Sequence, residues 1–171
     1  AWLRALRLGA ELRTSGQVRP TDIAPVIATG KSRARGAFPM RWSLLHPTRG
    51  TPVINARSET ASQSPLFGQS AAERRCLVPA GGYFEWLKDG SKKIRYAFYG
   101  PDDKPLYLGG LYIKSGSEPL PGFVILTREA APHIAHIHAR MPVIVPHSLV
   151  VDWLSSENRL SDLLPQAVTG V

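Results

Sequence analysis

At 171 residues with 43% hydrophobic content, four Trp, five Phe and five Tyr, the chain suits one globular domain with its own core and excludes a disordered segment. One cysteine, Cys76, excludes an intrachain disulfide and fits a reducing compartment. No apolar run approaches the roughly 20 residues of a membrane span. The formal net charge is +8, and it is unevenly placed. Residues 1 to 57 hold ten Lys/Arg against Glu11 and Asp22, while the rest hold eleven of each sign. A segregated excess of this kind points to an anionic partner, nucleic acid first.

In chain order, "AWLRALRLGAELR" reads as an amphipathic surface helix over residues 2 to 12, with Trp2, Leu3, Leu6 and Leu12 on its apolar stripe. It is Arg-rich, but Glu11, the low Ser content and the missing apolar stretch argue against a targeting peptide. "SGQVRPTDIAPVIATG" carries two prolines and no helical period, so it reads as an extended loop with short strands, and "GKSRARGAF" as a basic loop. "MRWSLL" and "TPVINAR" follow as strands and "SAAERR" as a short helix. "CLVPAGGYFEWLKDGSKKIRYAFYG" reads as paired strands joined at "KDGSKK", with "KPLYLGGLYIK" and "GFVILT" continuing the pattern. "REAAPHIAHI" reads as helical and broken near Pro132, "ARMPVIV" as extended, and "PHSLVVDWLSS" and "NRLSDLL" as terminal helices. The expected class is α+β: one domain over residues 1–171 with a mainly antiparallel, barrel-like β-sheet core and peripheral helices.

Alternation picks out the residues able to do chemistry. In "VINARSET", Asn55 and Arg57 share one face while Ile54 and Ala56 share the other. In "GGYFEW", Tyr83 and Glu85 share a face, opposite Phe84 and Trp86. A carboxylate in such an aromatic strand is either desolvated and suited to proton transfer or paired with an arginine at the sheet surface. "HIAHIHARMP" holds His133, His136 and His138; without a metalloprotease helix motif or a nearby cysteine, it does not read as a metal site. Extended geometry puts His138 and Arg140 on one face, repeating the Asn55 and Arg57 pattern, and such pairs hold a phosphate with the guanidinium. His138 alone also fits a structural histidine. Trp42, beside Arg41, fits either the core or a base-stacking platform. Cys76 follows Arg74 and Arg75 yet opens "CLVPA", which reads as a buried structural thiol.

Taken together and in order, "PTDIAPVI", "MRWSLL", "INARSET", "RRCLVPAGGYFEW", "LTREA" and "IHARMPVIV" resemble the SOS-response-associated peptidase (SRAP) family over residues 20 to 145. The resemblance implies a protein that recognises abasic sites in single-stranded DNA. It implies removal of the leader Met and capture of the ring-opened sugar by an N-terminal cysteine as a thiazolidine. It implies Asn55, Glu85 and His138 as catalytic residues, and Arg57 and Arg140 as phosphate ligands. Pro20, Arg41 and Trp42 would complete the DNA contacts. No cofactor or metal is implied, and the expected setting is a cytoplasmic, nucleoid-associated monomer with no membrane partner. The family's "Cys-Gly-Arg"-like start is absent here, so the first strand with its nucleophile is expected to be missing, and this chain to bind without crosslinking. "SLLHP" also lacks the Gly and second Trp of the family's "RW" element. The alternatives are a non-catalytic single-stranded nucleic-acid-binding module and a peptidase acting on other proteins, the latter without an identifiable nucleophile and base.

Overall fold

The computed structural model describes residues 15–46, 50–101, 104–114, 118–168 and 170. The helix expected over residues 2 to 12 lies outside them. Among the described residues, eleven strands form where alternation or continuous apolar runs begin: β1 (Ile23–Thr29), β2 (Arg35–Arg41), β3 (Leu44–Leu45), β4 (Pro52–Val53), β5 (Asn55–Arg57), β6 (Arg75–Ala80), β7 (Gly82–Asp89), β8 (Lys92–Tyr99), β9 (Leu106–Ile113), β10 (Gly122–Glu129) and β11 (Arg140–Pro142). Short helices α1 (Ser58–Ala61), α2 (Gly68–Glu73), α3 (Val150–Trp153) and α4 (Leu160–Leu163) sit at the margins.

Hydrogen bonding closes a ring in the order β10-β2-β1-β6-β9 and back to β10. The contacts are antiparallel except for β10 with β2 and with β5, which are parallel. Closure removes free sheet edges, and with the marginal helices it gives the expected mainly antiparallel, barrel-like α+β fold. Pro25 and Pro39 face each other across the β1–β2 hairpin, and β6 pairs with β1 only at Ile27 and Ala28. The donor missing at Pro25 therefore costs no ladder bond to β6.

Both faces of the inner strands are apolar because both are covered. All five ring strands contribute to one buried set, including Val26, Met40, Cys76, Leu108, Phe123 and Ile125, which fills the ring. The alternate residues Leu77, Leu111, Val124 and Leu126 join Val143, Val145 and Trp153 in a second layer under the C-terminal helices. Gly109 makes that layer possible, since a Cβ there would lie 2.5 Å from the Trp153 ring. Arg75 crosses the same layer, buried and without a carboxylate partner among the described residues. Its guanidinium donates to the Trp153 carbonyl at 2.7 Å, Ala71 at 2.5 Å, Ala72 at 3.1 Å, Asn158 at 2.9 Å and also Ser155. It satisfies carbonyls at the ends of α2 and α3 that have no partner within their own helices.

Three expectations change in detail. The "GKSRARGAF" loop is only a turn over residues 30–34, because Arg35 already pairs with Thr29. "REAAPHIAHI" is not a helix: Arg128 and Glu129 finish β10, and residues 132–137 form successive turns pinned by buried Ile134 and Ile137. Pro132 and the early start of β11 leave no length for a helix to propagate. "RSET", for which no element was expected, carries α1, whose Ser58 and Ala61 are buried. No helix of the described residues is long and apolar enough to cross a membrane.

Candidate functional site

β5 lies beside β10 with Asn55 opposite Ile125, Ala56 opposite Leu126 and Arg57 opposite Thr127. Neighbours across a ladder share a face, so Asn55 and Arg57 stand on the face of Ile125, which points into the ring. Ala56 on the other face is buried in the outer layer, which fixes the register, since a one-residue slip would bury the polar pair. Asn55 and Arg57 are both exposed, and Arg57 has no ion pair among the described residues. On the opposite edge of β10, Arg140 pairs with Glu129, two residues on from Thr127. Both strands thus bring their polar residues to one end of the barrel.

Glu85 reaches the same end from the β7–β8 ribbon. Tyr83 and Phe98, stacked at 5.0 Å, anchor the inner face of this ribbon on the ring interior. Glu85 follows on that face, its side chain 23% exposed, with Oε1 3.8 Å from Nδ1 of His138. Burial raises the Glu85 carboxyl above its ordinary value, and the His138 charge opposes that rise. The Tyr83 hydroxyl is buried with no hydrogen-bond partner among the described residues. Burial first, and the Glu85 charge second, push it up to about 12, so it stays a donor.

His138 Nδ1 sits between the backbone N–H of Arg140 at 3.1 Å and its carbonyl at 2.9 Å. The neutral ring can accept from the N–H, and the protonated ring can donate to the carbonyl, so the backbone at Arg140 supports both states. The Arg140 guanidinium forks onto Glu59, Nη1 to Oε1 and Nη2 to Oε2 both at 2.8 Å, while Nη2 also donates to the Thr127 carbonyl at 2.6 Å. This bond and the adjacent positive charge hold the Glu59 carboxyl down at about 2. Glu59 lies in the first turn of α1, two residues after Arg57, so the pair ties the Asn55 strand to the His138 segment.

The other expected contacts border this end. Arg41 donates to the Thr21 carbonyl at 2.9 Å, and the Trp42 indole donates to the Ile54 carbonyl at 3.0 Å, next to Asn55. The Trp42 ring lies parallel to core Phe123 at 6.4 Å, so it joins core to site. Pro20 is exposed in a turn where Thr21 has φ 79°, an outlier for a β-branched residue. Backbone bonds from Thr21 to the Trp42 carbonyl and from Trp42 to the Asp22 carbonyl, both 2.9 Å, hold that strain in place. His133 and His136 are exposed and stand apart from this arrangement, and the described residues hold no group of three metal-capable side chains. Burial pushes the Cys76 thiol far up, so it is inert.

Reading the sequence assigned no role to Glu59, Tyr83 or Thr127. Glu59 belongs to the "INARSET" run, but its partner is 81 residues away. Tyr83 was recognised only as sharing Glu85's face.

The family model described as SOS response associated peptidase (SRAP) matches residues 4–169. Abasic site processing protein YoaM of Bacillus subtilis (strain 168) is 32% identical over 164 residues, covering 90% of this chain and 71% of that protein. Abasic site processing protein HMCES of Gallus gallus is 28% identical over 192 residues, covering 90% of this chain and 56% of its own. Among solved structures, a protein from Bordetella bronchiseptica superposes with a TM-score of 0.72 at 26% identity, covering 94% of this chain and 86% of that one. A phage-related protein from the same organism, at 22% identity and a TM-score of 0.76, covers 98% of this chain and 84% of its own, a likeness of fold alone.

Proposed function

The chain belongs to the SOS response associated peptidase (SRAP) family, and from that premise we propose that it recognises abasic sites in single-stranded DNA and that the intact protein captures them covalently. The names of its relatives support abasic DNA as the target. The observation that carries the chemistry is Glu85, a carboxyl raised by burial, facing the His138 imidazole at 3.8 Å beside the Asn55 strand.

An abasic site in its open form is an aldehyde. An N-terminal α-amine with a pKa near 8 adds to it, giving a carbinolamine, and loss of water gives an imine. The thiol of the same N-terminal cysteine then adds to the imine carbon, and its proton passes to the nitrogen, closing a thiazolidine. The net change is loss of one water. Glu85 gives a proton to the ring oxygen as the sugar opens and regains one from the C1 hydroxyl, then gives it to the departing water and regains one from the amine; His138 takes the thiol proton and returns it to the ring nitrogen; Asn55 orients the N-terminal residue and the sugar. Cys76 cannot serve, because amine and thiol must belong to one residue and this thiol is buried. Arg57 and Arg41 hold flanking phosphates, with Pro20 and Trp42 shaping the wall. Arg140, already forked onto Glu59, reaches a phosphate only through the edge of that pair. The peptidase activity is confined to removal of the leader Met, and the protein acts as a monomer at the nucleoid.

The test mixes the intact gene product with a labelled single strand carrying one abasic site and runs a denaturing gel. A retarded band, absent with intact DNA, is expected. Native binding without that band would replace this reading with a non-catalytic single-strand-binding module.

A further inference from the structure

The β7–β8 ribbon has a second face that the capture chemistry leaves unused. Register pairs Gly82 with Tyr99, Phe84 with Ala97, Trp86 with Arg95 and Lys88 with Lys93. These residues point away from the face that Tyr83 and Phe98 seat on the barrel. On this outer face Trp86 is 43% and Tyr99 57% exposed. Arg95 lies over the Phe84 ring at 4.8 Å. Gly82 gives Tyr99 its place, since a Cβ there would meet the Tyr99 ring at 2.8 Å. No carboxylate stands among these eight positions, and Lys88 and Lys93 are directly opposite one another, a like-charge pair that destabilises the free ribbon.

We propose that this outer face is the platform for the single strand flanking the lesion, with bases stacked on Trp86 and Tyr99 and phosphates held by Arg95, Lys88 and Lys93. Three features select this occupant. Aromatic rings interleaved with cations bind unpaired bases without regard to sequence, whereas a buried apolar partner would have to desolvate three cations. Phe84 and Trp86 are two residues apart, about 7 Å along the strand, and Tyr99 is one such step further, opposite Gly82. That interval is about twice the 3.4 Å rise per nucleotide of a stacked duplex strand, so it suits bases drawn apart. The face also adjoins the site: Glu85 lies between Phe84 and Trp86 on the reverse side of the same strand. The strand's identity as damaged DNA rests on the function proposed above; the stacking itself does not.

The test therefore uses intact oligonucleotides and no covalent step. Titration of the intact protein with a labelled single strand, followed by anisotropy, is expected to weaken about tenfold or more for Trp86→Ala and for Tyr99→Ala. Trp86→Phe should recover most of that loss, and Lys88→Ala should lower the salt slope by about 0.7. A measurement free of variants compares the wild type on an intact single strand with inorganic polyphosphate of equal charge; about a tenfold weaker binding of the polyphosphate is expected, and equal affinity overturns the platform. Unchanged affinity in a Trp86→Ala/Tyr99→Ala protein with a wild-type melting curve also overturns it. So does a change confined to sedimentation, which would make the face a contact between copies. Loss of the covalent band with these binding differences intact would sink the capture reading and leave the platform standing.

Discussion

Two carboxylates meet the segment from His138 to Arg140, and their surroundings drive them in opposite directions. Glu59 is about half exposed, yet two short bonds from Arg140 hold it at about 2. Glu85 is less exposed and has an imidazole at 3.8 Å in place of a guanidinium at 2.8 Å, so burial raises it. Exposure alone would not assign these roles; the geometry of the partner does. Glu59 is held ionised and fastens the segment, while Glu85 has no guanidinium against it among the described residues and is raised by burial.

The largest effect that tests this contrast falls on capture. Glu85→Gln in the intact protein should slow adduct formation about 100-fold in single turnover, and His138→Ala by at least about tenfold, with binding of intact single strands retained. Equal slowing by Glu59→Gln would erase the distinction between the two corners. Arg140→Ala should cost about 1–2 kcal/mol in urea melts, because it removes a forked ion pair and the bond to Thr127 together. It should also slow capture less than Glu85→Gln does.

The smallest effects are in stability against pH. Glu59 has a folded value near 2 against an ordinary 4.5, so its contribution is present above 4.5 and withdrawn as pH falls from there toward 2. The pair is partly exposed, so the difference between wild type and Glu59→Gln should be about 0.5–1 kcal/mol at neutral pH and vanish in acid. Glu85 runs the other way. Its raised value favours the protonated form, so stability is lost as pH rises through 4.5 toward the folded value. Glu85→Gln should therefore melt at or slightly above the wild-type temperature at pH 7 while being slow in capture, a combination that a merely structural glutamate would not show.

Much of the fold was legible because strands announce themselves locally. "KPLYLGGLYIK" and "GFVILT" read as strands, and β9 and β10 form there with residues buried on both faces. Ring closure was not legible in detail, since it depends on parallel contact of β10 with β2, at Gly122 and Arg41. The turns at 132–137 imitated a helix because Ile134 and Ile137 repeat at the spacing of one helical turn. The site divides in the same way. The faces of Asn55, Arg57 and Glu85 followed from alternation, whereas the partners of Arg140 and Trp42 are set by tertiary contacts that no local pattern records. The Arg140–Glu59 pair was not legible because the carboxylate lies 81 residues away in the chain.

The measurement that bears most directly on the account is the pH–rate profile of abasic-site capture by intact wild type and Glu85→Gln at saturating DNA. The wild type should show a limb set by a carboxyl titrating above 4.5, and the variant should lose it. Identical profiles with equal rates would contradict the assignment of Glu85 to proton transfer and with it the central claim about this end of the barrel.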